Sequence, residues 1–176
     1  MSYDAGVKVP EDAKAVIANA SKAMGADNLT SITFYGSGAN FNLGQNNNAN
    51  MPWPRTNIND YSRSIDFANS LSRATWQTYA VPVTGGAATL AAGQQTITAQ
   101  NTVWAQQLEI WTTPWGFLKG AAANNATAKS QTVGGQRYQV VTWNTTQKAP
   151  SGAPYKVVGY ISPQGLVDRV ETWIEN

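Results

Sequence analysis

The sequence of 176 residues contains no cysteine and no histidine. Without cysteine there is no disulfide, no thiolate nucleophile and no thiolate metal ligand. Without histidine, neither a Ser-His-Asp nor a Cys-His nucleophile system can be built, and His-ligated zinc and copper sites are excluded as well. Only carboxylate or lysine chemistry is left to an enzyme, so we expect the chain to be non-catalytic and to use no cofactor or metal.

Charge is also scarce. Charged residues make up 12% of the sequence, about half of the usual share of roughly 25%. The net charge is only +2, and the basic residues are scattered, whereas nucleic-acid binding requires a basic stripe. Polarity is carried by Asn, Gln, Ser and Thr, together with seven Trp and seven Tyr. This composition favours a β-rich periplasmic or secreted protein that does not bind nucleic acid.

Long hydrophobic segments are missing. No apolar run approaches the roughly 18 residues that a membrane span requires. The first residues, Met1-Ser-Tyr-Asp4, have neither the charged region nor the apolar core of a signal peptide, and the mature form of an exported protein looks the same. The length predicts a single domain over residues 10–176, preceded by a tail over residues 1–9.

Helical periodicity is strongest near the N-terminus. Pro10 suits a first helical turn, and apolar residues then recur at helical spacing from Ala13 to Met24. Gly25 is a typical C-cap. The pattern predicts a helix over residues 10–24, whose apolar stripe must be buried against a sheet.

Most of the remaining chain alternates between apolar and polar residues, which predicts strands. A short inserted helix interrupts them, from Pro114 to about Ala123, with Thr113 as its N-cap. The small residues of 80–93 predict a long hairpin loop. Strands are expected over residues 32–43 with a break at Gly36-Ser-Gly38, and over 61–67, 73–79, 96–104, 126–133, 137–143, 155–161 and 166–174.

Two tight turns join strands near the C-terminus, Gly134-Gly135 and Ser162-Pro-Gln-Gly165. In the last strand, simple alternation places Leu166 and Val170 on the face opposite to Val167. The predicted fold is α+β: a curved antiparallel β-meander, or half-barrel, of about seven or eight strands, with the long helix packed on it.

The stretch from Ile32 to Phe67 holds the best candidate ligand-binding surface. A tryptophan lies there between two prolines, on a loop that the prolines stiffen. An arginine shares a predicted strand face with apolar residues. There it extends its charged end to solvent, pairs with Asp60 or another acid, or presents its guanidinium to an anionic ligand. For each aromatic residue, burial in the core is the structural alternative. The candidate ligand-binding residues are Tyr35, Phe41, Trp53, Arg55, Tyr61, Arg63, Trp111 and Trp115.

Carboxylate pairs offer no catalytic centre. Asp60 and Asp66 are about 20 Å apart on an extended strand, whereas paired glycosidase carboxyls lie about 5–10 Å apart. Asp168 and Glu171 have opposite parity in their strand. We interpret all four as solvated or ion-paired surface groups.

The run from Met24 to Gln45 (MGADNLTSITFYGSGANFNLGQ) resembles the N-terminal part of exported bacterial metallo-β-lactamase-fold hydrolases. Pro52-Trp-Pro-Arg55, Thr113-Pro-Trp-Gly-Phe-Leu-Lys119 and Val170-Glu-Thr-Trp-Ile-Glu-Asn176 extend this resemblance, which covers residues 15–176. It implies a sheet similar to the half-barrel of lipoprotein carriers, followed in those proteins by a hydrolase domain. The His-rich zinc motif of that domain has no counterpart here, so no zinc ligand is carried over.

These features lead us to expect a non-catalytic accessory or binding module of such a hydrolase, with the hydrolase domain or an apolar small molecule as partner. One alternative is a free-standing carrier for a lipid-like ligand, which an open apolar cavity favours and a sheet filled by helix 10–24 disfavours. Another is a self-associating structural protein of the cell surface, because exposed sheet edges can pair between copies.

Overall fold

The computed structural model describes residues 12–46, 48–80, 87 and 89–175. The predicted tail, together with Pro10 and Glu11, lies outside these residues. The elements in chain order are α1 (Ala13–Ala23), β1 (Ser31–Phe41), β2 (Arg55–Asp66), β3 (Leu71–Ala80), β4 (Thr89–Thr98), a 3₁₀ turn (Trp104–Gln106), α2 (Leu108–Trp111), α3 (Pro114–Ala123), β5 (Thr127–Val133), β6 (Gln136–Lys148), β7 (Pro154–Ile161) and β8 (Val167–Thr172).

The strands form two four-stranded antiparallel sheets, in the orders β1-β2-β3-β4 and β5-β6-β7-β8. The described residues therefore confirm the predicted α+β class and the antiparallel meander of about seven or eight strands. The meander is divided between two sheets because the chain from 104 to 123 turns into helices between β4 and β5. Two compact units result: the β1–β4 unit, Thr30–Asn101, and the β5–β8 unit, which also contains α1, α2 and α3.

In the β5–β8 unit the helices pack on the sheet. Ile17 of α1, Phe117 and Leu118 of α3, and Val141 and Val157 of the strands belong to one buried cluster. The apolar stripe read from the helical spacing is thus buried against a sheet, as predicted. The short inserted helix also follows its prediction, with limits at Pro114 and Ala123.

Both ends of α1 are closed by capping hydrogen bonds. Its first residue is Ala13, later than the predicted start at residue 10, because Asp12 is the N-cap and its side chain accepts a hydrogen bond from the backbone N–H of Lys14 at 3.0 Å. At the other end Gly25 adopts φ +64°. The N–H of Ala26 then bonds to the carbonyl of Ser21 at 2.7 Å, a Schellman closure that confirms the capping role of this glycine.

The β5–β8 sheet confirms one turn and corrects one alternation. Gly134 and Gly135 have φ values of +58° and +82°, as a two-residue hairpin requires. In β8, Tyr160 pairs with Arg169 but Ile161 pairs with Val167, so an extra residue forms a bulge. The predicted strict alternation is therefore wrong. Val167 is buried and Val170 half-buried, whereas Leu166 is 46% exposed.

The β1–β4 sheet corrects the predicted loop over 80–93. Residues from 89 onward belong to β4, which pairs with β3 in continuous register from Leu71–Thr98 to Ala80–Thr89. Residues 81–86 and 88 lie outside the described part. The strand predicted over 96–104 ends at Thr98. This strand consists largely of small residues and therefore has no alternating pattern that predicts it. Pairing with β3 and an aromatic ring of β3, described below, stabilise it instead.

Among the described residues, no helix combines the length and apolar character needed to cross a membrane.

Candidate ligand-binding site

The two faces of the β1–β4 sheet differ in character. Cross-strand pairing places Phe34, Arg63, Ala74 and Gln95 side by side on one of them. The next row on this face, Ile65-Ser72-Ile97, is almost completely buried, whereas the other end of the face is half-exposed. We call it the aromatic face, and its central residues are Phe34, Tyr61, Arg63, Ile65, Ser72, Ala74, Trp76, Gln95 and Ile97.

Three rings from three neighbouring strands form a row on this face. The ring centroids of Phe34 and Tyr61 are 6.2 Å apart with an interplanar angle of 34°, and those of Tyr61 and Trp76 are 6.4 Å apart with an angle of 26°. Both distances lie within the range of favourable aromatic pairs. Phe34 is 42% exposed, and the other two rings are half-buried. We call Phe34, Tyr61 and Trp76 the aromatic row.

A bulge in β2 places one further apolar residue, Ile58, on this face next to the row. Asp60 has φ +50°, and the pairing of β2 shifts there against both of its neighbours. The extra residue reverses the alternation of side chains. Ile58 therefore lies on the aromatic face with Tyr61, three residues away instead of two. That three-residue step between apolar residues is the sequence signal of the bulge.

The orientation of Trp76 depends on a glycine in the neighbouring strand. Trp76 pairs with Gly93, and a Cβ built on Gly93 would lie 2.7 Å from Cζ2 of the indole and closer still to Cε2 and Nε1. The ring therefore lies over the backbone of β4, where any side chain would displace it. Covering of a strand glycine by an aromatic ring is a known stabilising device in sheets.

Arg63 is a buried part of the same face, only 4% exposed. Its Nε donates to the hydroxyl of Tyr61 at 2.5 Å, one terminal nitrogen to Oγ of Ser72 at 2.6 Å, and the other to Oε1 of Gln95 at 3.1 Å. A buried guanidinium needs such hydrogen bonds. They fix the phenol of the aromatic row, so the structure gives Arg63 a positioning role on this face.

A shallow depression of about 300 Å³ lies beside the row. Phe34, Ile58 and Tyr61 line it, together with the β1 segment that contains Gly36 and Gly38. A Cβ on either glycine would meet nothing within 4 Å. The missing side chains therefore leave open space next to the exposed ring of Phe34.

The other predicted site residues are placed elsewhere. Tyr35, 78% exposed, points to the opposite face of the sheet. Phe41 and Arg55 pair on that opposite face, with the guanidinium 6.0 Å from the ring centroid. Trp53 lies in the connection between β1 and β2 and is 47% exposed. Of the eight candidates, the aromatic face contains Tyr61 and Arg63.

Trp111 and Trp115 belong to the β5–β8 unit, where both are half-buried. Nε1 of Trp111 donates to Oε1 of Gln107 at 3.0 Å, and its ring packs edge-on against Trp143 at 5.9 Å. Nε1 of Trp115 donates to the carbonyl of Met24 at 3.2 Å. These contacts correspond to the structural alternative, in which buried Trp residues satisfy their N–H within the core.

Sequence reasoning missed Phe34 and Trp76. The apolar/polar alternation around Phe34 predicts a strand, but only the register with β2 shows that this ring lies beside Tyr61. Trp76 becomes part of a row only when β4 is recognised as the strand that carries the glycine beneath it.

The carboxylates form hydrogen bonds and ion pairs typical of surface groups. Hydrogen bonds from the side chain and backbone of Asn69 lower the pKa of Asp66. Glu171 pairs with Arg169 at 3.2 Å and accepts from the hydroxyl of Tyr160 at 3.1 Å. In the part of the chain that the structure describes, no three acidic side chains are close enough together to hold a metal ion.

Comparison of the chain with protein-family models, characterised proteins and solved structures gave no match. The resemblance to the N-terminal region of exported metallo-β-lactamase-fold hydrolases therefore stays a prediction from the sequence.

Proposed function

We propose that this chain is a non-catalytic binding module of an exported metallo-β-lactamase-fold hydrolase, and that it binds its ligand on the aromatic face. The observation that carries the binding role is the half-exposed aromatic row. The resemblance in the sequence supplies the hydrolase partner and the periplasmic or secreted location.

The row has the properties of a preorganised site. Exposed contiguous apolar surface on a folded protein commonly marks a binding region. Here the rings are held before any ligand arrives, since Arg63 fixes the phenol of Tyr61 and Gly93 provides the surface on which Trp76 lies. Rigid aromatic groups bind with a small entropic cost, because little freedom is lost on binding.

Titration with N-phenyl-1-naphthylamine, a planar fluorescent probe, tests the site. We expect saturable binding that weakens about tenfold in Trp76→Ala and in Phe34→Ala, since each removes one stacking surface of up to about 1.5 kcal/mol. Tyr79→Ala is the matched control because it removes an exposed ring from the opposite face of β3. Equal affinity of wild type and both row variants contradicts the site.

Hydrolysis assays test the non-catalytic part. The zinc-supplemented chain is expected to hydrolyse nitrocefin and p-nitrophenyl acetate no faster than buffer. Turnover that requires zinc and is abolished by EDTA contradicts the proposal. The hydrolase partner is tested by the gene sequence beyond codon 176, where a His-rich motif in the same frame supports it.

A groove in the β5–β8 unit favours a second candidate function, that of a carrier for a lipid-like ligand. It lies between α1 and α3 and has a volume of about 550 Å³, comparable to small-molecule sites of about 300–1,000 Å³. Ile17, Ala18 and Leu118 are among its apolar lining residues, and Lys14 and Lys119 also line it. Against this role, α1 and α3 already cover the adjacent sheet.

Oleate binding distinguishes the carrier from the aromatic-face module. If the groove is the functional site, Ala122→Trp blocks oleate binding because Ala122 lines the groove and is exposed. Oleate binding that is absent, or unaffected by this substitution, contradicts the carrier. Self-association has no comparable observation in its favour and stays a prediction from composition, to be checked by sedimentation velocity.

A further inference from the structure

We infer that the ligand of the aromatic face is a neutral oligosaccharide. This inference rests on the proposed binding role of that face and adds the chemical class of the ligand. Ring orientation, openness and charge support it independently of one another.

The ring of Trp76 covers the backbone at Gly93, so one of its faces is turned away from the sheet, and the rings of the row are inclined to one another by small angles. The Tyr61 ring is inclined to that of Trp76 by 26° and the Phe34 ring to Tyr61 by 34°. A pyranose ring exposes a patch of C–H groups that packs on such a face, because the aromatic quadrupole is negative there and the C–H hydrogens are weakly positive.

The site is open, which favours a sugar over an acyl chain. A ligand pocket for an apolar molecule buries most of the ligand surface, about 70–90%. Here the depression beside the row has a volume of about 300 Å³, at the lower limit for small-molecule sites, and both Gly36 and Gly38 along it are exposed. An oligosaccharide stacks one face on the rings and keeps its outer hydroxyl groups hydrated, so it does not need an enclosed pocket.

In the described part of the aromatic face, no exposed cationic group is available to an anionic ligand. Among the described residues of the aromatic face, Arg63 is the single charged side chain, and it is 4% exposed. Nucleic acids also stack on aromatic rings, but they require a cationic groove for the phosphates. Past the row, the same face continues with Asn40 and Thr56, whose uncharged amide and hydroxyl groups suit hydrogen bonding to sugar hydroxyls.

Isothermal titration calorimetry with maltohexaose, cellohexaose, xylohexaose and laminarihexaose tests the ligand class. We expect saturable binding of at least one oligosaccharide at concentrations up to about 10 mM, the range for a weak open site. The same oligosaccharide is expected to displace N-phenyl-1-naphthylamine. Trp76→Ala and Phe34→Ala should each weaken it by about tenfold, whereas Tyr79→Ala, on the opposite face of β3, and Trp173→Ala should match the wild type.

The outcomes separate the ligand class from the binding role. If none of the four hexasaccharides binds or displaces the probe, while probe binding still depends on Trp76, the oligosaccharide is wrong and the binding face stands. The oligosaccharide is also wrong if oleate or single-stranded oligo(dT) displaces the probe and the hexasaccharides do not. If probe binding is independent of the row, both proposals fail. Circular dichroism verifies folding, and exposed Phe34 provides a variant that leaves the packing on Gly93 intact.

Discussion

The indole of Trp76 rests on Gly93 of the neighbouring strand, so that a Cβ at this glycine would lie 2.7 Å from Cζ2 and closer to two further ring atoms. The same arrangement recurs in the β5–β8 unit, where Phe117 covers Gly159 and Trp143 covers Gly120. Glycine in a strand or helix costs conformational entropy. At these positions it provides space for an aromatic ring, and substitutions there should be costly.

Gly93→Ala is expected to displace the Trp76 ring and to lower the free energy of unfolding by about 1–3 kcal/mol, the cost of overpacking. Urea denaturation measures the loss, and the affinity for N-phenyl-1-naphthylamine should fall with it. Gly36→Ala on the same sheet face is the control, because its Cβ meets nothing within 4 Å. Its unfolding free energy should stay within about 0.5 kcal/mol of the wild type. Equal stability of both variants contradicts the packing argument.

Helices and turns whose limits are set by residues within them could be predicted from the sequence. The helix from Pro114 to Ala123 has its cap and first-turn proline in sequence, and the Gly134-Gly135 turn needs only its positive φ values. The strand Thr89–Thr98 carries no such signal. Its pairing with β3 and the ring of Trp76 define it, and both are long-range contacts that a periodicity search does not detect.

Gly120→Ala tests the second ring-on-glycine contact. Alanine in an exposed helix interior is normally more stable than glycine by about 1 kcal/mol. At Gly120 the new methyl would lie 2.8 Å from Cη2 of Trp143 and closer to Cζ2, so we expect destabilisation by about 1–3 kcal/mol. Ala122→Gly on the exposed side of the same helix should lose about 1 kcal/mol from propensity alone. Thermal unfolding measures both, and a raised Tm for Gly120→Ala refutes the prediction.

Arg63→Met is expected to lower the free energy of unfolding by about 1–3 kcal/mol, because buried Ser72 and the amide of Gln95 lose a donor. The variant should also bind N-phenyl-1-naphthylamine more weakly while still folded, since the phenol of Tyr61 is no longer fixed. Arg73→Met, at an exposed position on β3, is the control and should change neither property. An unchanged probe affinity in folded Arg63→Met contradicts the positioning role.

The candidate site was only partly predictable, because it depends on pairing between strands that are distant in the sequence. The sequence placed Tyr61 and Arg63 on one strand face, because their spacing of two is a local property. Phe34 and Trp76 join them only through the registers β1–β2 and β2–β3, which the bulge at Asp60 shifts. A binding row built from three strands therefore becomes visible only when the register is known.

The turn after β2 gives a prediction about pH. Oδ2 of Asp66 accepts from Nδ2 of Asn69 at 2.7 Å, and Oδ1 accepts from its backbone N–H at 3.0 Å. These bonds favour the carboxylate and hold the pKa of Asp66 below its ordinary value of 3.8. Because the folded pKa is the lower one, this contribution to stability is complete above the unfolded pKa and is lost as the pH falls through the folded pKa.

Asn69→Ala is therefore expected to raise the pKa of Asp66 toward 3.8, since the side-chain bond is the largest cause of the shift. Carbon-13 NMR titration of the Asp66 carboxyl group measures it directly. The free energy of unfolding of Asn69→Ala should be lower than that of the wild type above pH 4, and the two values should converge in stronger acid. Ser151→Ala is the matched control: its hydroxyl bonds to Glu175 at 2.6 Å, so it should raise the pKa of Glu175 and leave Asp66 unchanged. If the pKa of Asp66 is the same in wild type and Asn69→Ala, the side-chain hydrogen bond is not the cause of the lowered pKa.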